Sequence, residues 1–410
     1  MTSGFTAHEG FTARDRQARL STYAAFAIQG LCFASLVTQV PRLQDDHHLS
    51  DGALNLVLLL VPVIAGVGSV LAGMLFTRVG SGWVLRVAQP LVCLAIIGIG
   101  LTGSSNAALY PVVALFGLFV GAVDAAMNAQ AVSVERRYGL SLIGGFYAVW
   151  SIAGIAGGGW SSLANKIDVP LWGGFLAAGS IGIVASLITG RRLYARDDEA
   201  AAPTAAELKA AAKRVPWKPV LIVGIAMCCF YIADAAVSDY SSKYLKESLD
   251  AASWVGPLGY VFYQVAMVIS RGIADFGVRR MGATKVVRLG GIVGLVGLVG
   301  VVAAPNAALA IAAFTVMGLG LCVVAPISFT AAGKVDPTGL GVAVSRVNLF
   351  NYVGFVLGAG IVGAVQPLRA AYAVPAVLTL VIIALAPGFE PKPVTGAVEH
   401  PSPVAERPTV

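Results

Sequence analysis

The sequence predicts an all-α polytopic membrane protein with twelve transmembrane helices arranged as two pseudo-symmetric six-helix bundles. Three observations carry this: a scarcity of charge, a dozen apolar stretches of spanning length, and a loop motif that occurs once in each half. Of 410 residues, 57% are hydrophobic and 12% charged, and the mean hydropathy is +0.80. A soluble domain carries roughly 25% charged residues. So little charge cannot cover a water-facing surface of this size, which excludes a soluble enzyme, a nucleic-acid binder and a disordered chain. The net charge of +7 is therefore tested first as loop charge on a membrane protein.

A spanning helix needs about 20 apolar residues. Stretches of that length, bounded by charge or turn residues, predict spans near 20–40, 53–76, 84–104, 107–131, 142–165 and 169–190. Six more are predicted near 218–242, 253–276, 284–304, 306–331, 341–365 and 368–388. Only the turn Ser104-Ser105-Asn106 separates the third from the fourth. The stretches are rich in Gly and Ala, as expected where helices pack closely in lipid. The first 19 residues are polar and no small-residue cleavage site follows a short apolar core, so no cleavable signal peptide is expected.

With the N-terminus inside, 22 of the 28 Lys and Arg residues fall on the cytoplasmic side. Five (Arg42, Lys166, Lys243, Lys246 and Arg369) fall on the other, and Arg271 lies within a span. This asymmetry predicts cytoplasmic termini in an inner (cell) membrane. The positive charge is then topological, and the nucleic-acid reading falls away. All five cysteines lie inside spans without metal-ligand spacing and read as small packing residues. The four histidines lie in loops or tails, so none is a buried proton carrier or metal ligand.

The one long polar interruption divides the chain. The expected organisation is a tail at 1–19, a bundle at 20–190, a cytoplasmic loop at 191–217, a second bundle at 218–388 and a tail at 389–410. Residues 78–86 read RVGSGWVLR and residues 280–288 read RMGATKVVR, both R-x-G-x-x-x-V-x-R. Each follows the second span of its half. Gly154 and Gly158 in the fifth span are echoed by Gly354 and Gly358 in the eleventh, which predicts close packing in both halves. Two parallel six-helix halves are a recurrent plan of secondary transporters, with the substrate site between them near the midplane.

On these features the whole chain resembles the major facilitator superfamily. That family's loop reads Gly-x-x-x-Asp-Arg-x-Gly with further basic residues. Gly73, Arg78 and Gly80 fit here, with Ser81 and Gly82 in place of basic residues, and Arg280 and Gly282 fit in the second copy; Arg86 and Arg288 close the internal repeat. Thr77 and Arg279 stand where the Asp is expected, so the family's loop carboxylate is missing; Asp275 is the nearest substitute. The stretch GAVDAAMNAQAVSVERRYG (121–139) is similar to the fourth span of the fucose-permease-like, sugar:proton-symporter-like branch, through Asp124 and Asn128. Residues 233–245, ADAAVSDYSSKYL, are similar to the seventh span of bacterial members of that branch.

Within the spans the carboxylates are the candidates for chemistry. An ionised Asp in hydrocarbon costs at least about 2.5–3.5 kcal/mol, so it faces a cavity or partner, or is protonated. Asp124 and then Asp234 are the candidate proton-coupling residues. The bland alternative for Asp124 is a structural bond to Asn128 one turn on. Asp239 reads as a rim residue. Arg271 and Asp275, four apart, share a helix face and can form a gating ion pair; the sharper alternative makes Arg271 a substrate-anion contact. Arg346 reads as a residue that snorkels to the interface.

The candidate cavity residues are Gln29 and Phe33 in the first span, Asn128 in the fourth, Tyr147 and Trp150 in the fifth, and Tyr231 in the seventh. Tyr260, Tyr263 and Gln264 in the eighth and Asn348, Asn351 and Tyr352 in the eleventh complete them. Aromatics with amides suit a neutral or weakly charged hydroxylated solute; each ring taken singly is as well explained by packing.

The expected function is secondary active transport of a small organic, sugar-like or other polar solute by alternating access. Proton coupling, a lipid bilayer and a monomeric unit are expected, with no cofactor, no metal and no enzymatic activity. A proton-driven exporter is the alternative. Its span-5 glycine motif is matched by Gly145, Gly154 and Gly158, but Gly159 replaces the expected Pro. A transporter-shaped sensor without flux is a minor alternative, since nothing in the chain resembles a signalling domain.

Overall fold

The computed structural model describes residues 12–139, 142–199, 205–338 and 341–390. The predicted tails therefore fall largely outside the described residues. Twelve long helices run through it: α1 Ala13–Val37, α2 Asp51–Val79, α3 Ser81–Leu101, α4 Asn106–Tyr138, α5 Ile143–Lys166 and α6 Leu171–Gly190. In the second half come α7 Trp217–Lys243, α8 Gly256–Met281, α9 Ala283–Ala303, α10 Ala307–Leu321 continued by Val324–Lys334, α11 Val342–Ala364, and α12 Leu368–Ala371 continued by Ala373–Leu385. Short helices Val40–Asp46 and Ala205–Arg214 lie in the connections after α1 and α6. Each predicted span coincides with one long helix.

The breaks have local causes. Pro326 has no N–H and its ring collides with the carbonyl four residues back, at Cys322, where α10 is interrupted. Pro375 stands in the same relation to Ala371, where α12 is interrupted.

Ten of the described segments are long and apolar enough to cross a membrane. The other two long helices, α5 and α8, carry more Gly, Tyr, Trp and Gln, and they face each other across the middle of the molecule. Each also keeps an exposed apolar face, Ile152 and Leu163 on α5 and Phe262, Ile269, Ile273 and Phe276 on α8. On the outside, Leu56, Val63 and Val70 of α2 and Ile181, Val184 and Ile188 of α6 are exposed, as a lipid-facing surface requires. Trp83, Trp172, Trp217 and Trp254 are exposed near helix ends, where indoles sit at membrane interfaces.

Neighbour relations repeat six helices on. α1 lies on α5, α2 on α4, and α3 on α4 and α6; likewise α7 lies on α11, α8 on α10, and α9 on α10 and α12. The halves meet along α5–α8 and α2–α11. Backbones approach closely: a Cβ on Gly121 of α4 would stand 1.8 Å from the Ala65 carbonyl oxygen of α2. The glycine echo between α5 and α11 proves to be one of spacing only. Gly154 and Gly158 face Gln264, Tyr260 and Val261 of α8 across the seam, whereas Gly354 and Gly358 face α7 within their own half. Both pairs are closely packed, but against different partners.

Candidate functional site

Polar groups collect at three levels. At the end that carries both described termini, Gly80 (φ 81°, ψ 157°) and Gly282 (φ 84°, ψ 157°) form the α2–α3 and α8–α9 turns in the same positive-φ, extended-ψ conformation. That conformation requires a residue without Cβ, which is why the R-x-G motif repeats. Acids cap the helices that follow. Glu199 Oε1 accepts from Ser81 N (2.8 Å), Ser81 Oγ (2.9 Å), Gly82 N (3.2 Å) and Gln130 Nε2 (3.1 Å). Glu390 Oε1 accepts from Thr284 N at 3.4 Å. Glu135 Oε2 accepts from Leu142 N (2.8 Å) and Ile143 N (3.1 Å) at the start of α5. Asp336 accepts from Thr338 N (3.0 Å) and Ala343 N (3.3 Å) at the start of α11. Burial pushes the Asp336 carboxyl up, but the bonds from Thr338, Ala343 and Val342 outweigh it and hold it below the ordinary carboxylate value.

None of these four acids was singled out from the sequence. They lie outside the motif; Glu135 and Asp336 stand within eight residues of the helix starts they bond, but Glu199 and Glu390 bond helix starts 118 and 106 residues earlier and carried no local signal. Of the motif residues, Arg86 Nε donates to Gly190 O at 2.7 Å, and Arg78 O accepts from Arg196 Nη1 at 3.1 Å. Arg280 and Arg288 are exposed, as is Gly73. The side chains of Thr77 and Asp275 are outside the described residues, and with them the proposed Arg271–Asp275 pair. Arg346 donates to Val215 O and Ala212 O and stacks over Trp217, its guanidinium 4.0 Å from the ring centre.

At mid-height the predicted cavity residues come together in two tiers. In the first, Asp124 Oδ2 of α4 accepts from the Tyr352 hydroxyl of α11 at 2.7 Å, a bond between the halves. Asn128 Nδ2 donates to Asp124 O (2.9 Å) and Oδ1 (3.3 Å), and its Oδ1 accepts from the Tyr147 hydroxyl at 2.9 Å. The bond to Asn128 thus exists, but beside a second one that crosses the seam. Arg271 of α8 also crosses it, its Nη1 reaching Ser151 Oγ (3.2 Å) and Tyr147 O (3.5 Å) of α5. In the second tier Tyr263 donates to Asp234 Oδ1 and accepts from Cys322 Sγ, and Gln264 donates to the Tyr260 hydroxyl. Tyr231 stands between the tiers, within coulombic reach of Asp124, Asp234 and Arg271.

Phe33 and Trp150 pack at 5.9 Å between ring centres, and Asn351 donates to Asn348 at 3.4 Å. Among the described residues four buried amide oxygens, Gln29 Oε1, Gln39 Oε1, Gln264 Oε1 and Asn351 Oδ1, have no hydrogen-bond partner. Buried acceptors are rarely left so.

At the opposite end the halves are fastened together. Lys243 of α7 is 2% exposed, and its ammonium donates to Gln44, to Asp51 (2.9 Å) and to Glu247 (2.7 Å). Lys246 pairs with Asp45, Ser162 donates to Trp254 O (2.6 Å), and Asn165 donates to Ser253 O (3.0 Å). Sequence reasoning counted the two lysines only as loop charge; their pairing with Asp45 and Asp51, about 200 residues earlier, has no local signature. At the terminal end, the bonds described above stay within one half or reach the linker.

A helical membrane bundle of two repeated halves, with a polar seam at mid-height and one end fastened, defines a transporter rather than an enzyme. The chain belongs to the Major Facilitator Superfamily, whose family model matches residues 22–359. It is 28% identical over 375 residues to an MFS-type transporter of Yersinia pestis, covering 90% of this chain and 94% of that one. It is 25% identical over 340 residues to membrane protein MosC of Rhizobium meliloti, covering 82% and 81%. Among solved structures it resembles a mutant of nucleoside transporter NupG, with TM-score 0.71 at 12% identity over 92% of this chain and 98% of that one. A bacterial homolog of the human lysosomal transporter Spinster, in an inward-facing and unoccupied conformation, matches with TM-score 0.68 at 12% identity, covering 93% and 97%. These two likenesses establish the fold.

Proposed function

We propose that this chain is a proton-coupled secondary transporter of a small polar organic solute, related to the fucose-permease-like branch. It works as a monomer in the inner membrane, with both termini and the 191–217 linker in the cytoplasm. The two bundles, 20–190 and 218–388, rock about the central seam. Under the orientation set by the basic loops, the fastened end faces outward, and the seam is reached from the cytoplasm.

The observation that carries the coupling is the Asp124–Tyr352 bond. As a carboxylate, Asp124 only accepts, and it receives donors from both halves. Protonation turns one of its oxygens into a donor, which alters the bond to Tyr352 and changes how the halves hold each other. Asp234, held by Tyr263, is the second candidate. The test is a thermal-shift screen of solutes at two pH values, followed by flux in proteoliposomes under an imposed pH gradient. Asp124→Asn is expected to bind the solute, lose the pH dependence of the shift and lose gradient-driven accumulation. Accumulation that survives in Asp124→Asn moves the proton site elsewhere.

A further inference from the structure

Arg271 is a cation well inside a spanning helix whose described partners are neutral. Its Nη1 bonds Ser151 Oγ and the Tyr147 carbonyl, and its guanidinium lies 5.9 Å from the centre of the Tyr147 ring. Neither central carboxylate bonds to it: Asp124 is held by Tyr352 and Asn128, and Asp234, although within coulombic reach of Arg271, by Tyr263. A guanidinium stays charged at any physiological pH, and at membrane depth it is costly without a counter-ion. Its planar fork of donors matches a carboxylate in a bidentate way that an ammonium does not.

Gln264 lies seven residues before Arg271, two turns away on the same face of α8 and about 10 Å along the axis. Its Oε1 is buried and has no partner. A cationic fork and a lone acceptor at that separation suit a compact molecule with a carboxylate at one end and a hydroxyl donor at the other.

We propose that the transported solute is a hydroxylated organic acid, its carboxylate held by Arg271 and a hydroxyl donating to Gln264. This rests on the transporter reading above and adds the chemical class of the solute. Wild type, Arg271→Gln and Arg271→Lys are screened by thermal shift with matched pairs, glucuronate against glucose and quinate against inositol. Any stabilising compound is then followed into proteoliposomes. The expected result is that the acid of a pair stabilises wild type at a concentration at least ten-fold below its neutral counterpart. Arg271→Gln loses that response and Arg271→Lys keeps a weaker one.

A preference for the neutral member, unchanged in Arg271→Gln, overturns the anchor and leaves the transporter. Acid binding without uptake leaves the anchor and overturns transport. Where no member of a pair binds, melting of the unliganded proteins decides. A charge kept for an absent anion makes Arg271→Gln melt above wild type. An equal or lower melting temperature overturns the proposal, and matching loss in Asp275→Asn would show that the two residues pair along α8.

Discussion

The terminal end and the central seam are built on opposite rules. At the terminal end three devices occur twice. Gly80 and Gly282 share one backbone conformation; Glu199 and Glu390 bond the starts of α3 and α9; Glu135 and Asp336 bond the starts of α5 and α11. In the seam nothing charged is repeated. Asp124 lies in α4, while its partner helix by symmetry, α10, contains no acid before Lys334. Arg271 lies in α8, while α2 has no basic residue before Arg78. The repeated groups turn the chain and stop helix ends from being left unbonded, which both halves need equally. On the proposed reading the unrepeated groups meet one solute between the halves and need occur only once. Substitutions at the terminal end should therefore lower stability and leave solute preference alone, with the reverse in the seam.

The largest stability effect is expected at the turns. Gly80→Ala and Gly282→Ala each force a Cβ into a positive-φ, extended-ψ conformation almost confined to glycine, at about 1–3 kcal/mol. The surroundings then separate them. A Cβ at Gly80 meets the backbone of Arg196 at 3.0 Å, whereas at Gly282 it meets the end of the flexible Glu390 side chain. Thermal unfolding should rank Gly80→Ala as the more damaging; equal losses would mean the linker yields as easily as a side chain. A smaller difference is expected between the caps. Glu199→Ala removes four accepted bonds and should cost about 1–2 kcal/mol, as lost N-caps do. Glu390→Ala removes one long bond and should cost about 0.3 kcal/mol. Similar losses would show that the second cap is as strong as the first.

The same division explains what could be read in the sequence. Spans, their number and the turn glycines are local or periodic properties. Apolar length marks a helix, and a repeated Gly marks a backbone that side chains cannot adopt. The polar groups of the seam were legible because polarity inside a span has no other common reason, and Asp124, Asn128, Tyr147 and Tyr352 do meet in one string. What the sequence hid was pairing at a distance. Glu199 reaches back 118 residues to Ser81, and Lys243 reaches back 192 residues to Asp51. Neither partner carries a mark of the other. The face of α5 that its glycines present was hidden too, since a four-residue spacing fixes a common face but not the helix it meets.

The smallest effect is expected from acid, at Asp336. Its hydrogen bonds hold the folded carboxyl below the ordinary value of 3.8, so the folded state binds its proton less readily than the unfolded chain does. Such a group stabilises the fold fully above its unfolded value, and the contribution fades as pH falls through the lower folded one. Asp336→Asn should therefore melt below wild type at pH 7, and the gap should narrow as the pH drops below about 4. The asparagine keeps one acceptor oxygen for Thr338 or Ala343 but loses the charge at the start of α11. A gap of the same width at pH 3 and pH 7 would mean that the shape of the side chain, and not its charge, caps the helix. The likeness to Glu135 at α5 would then be one of position alone.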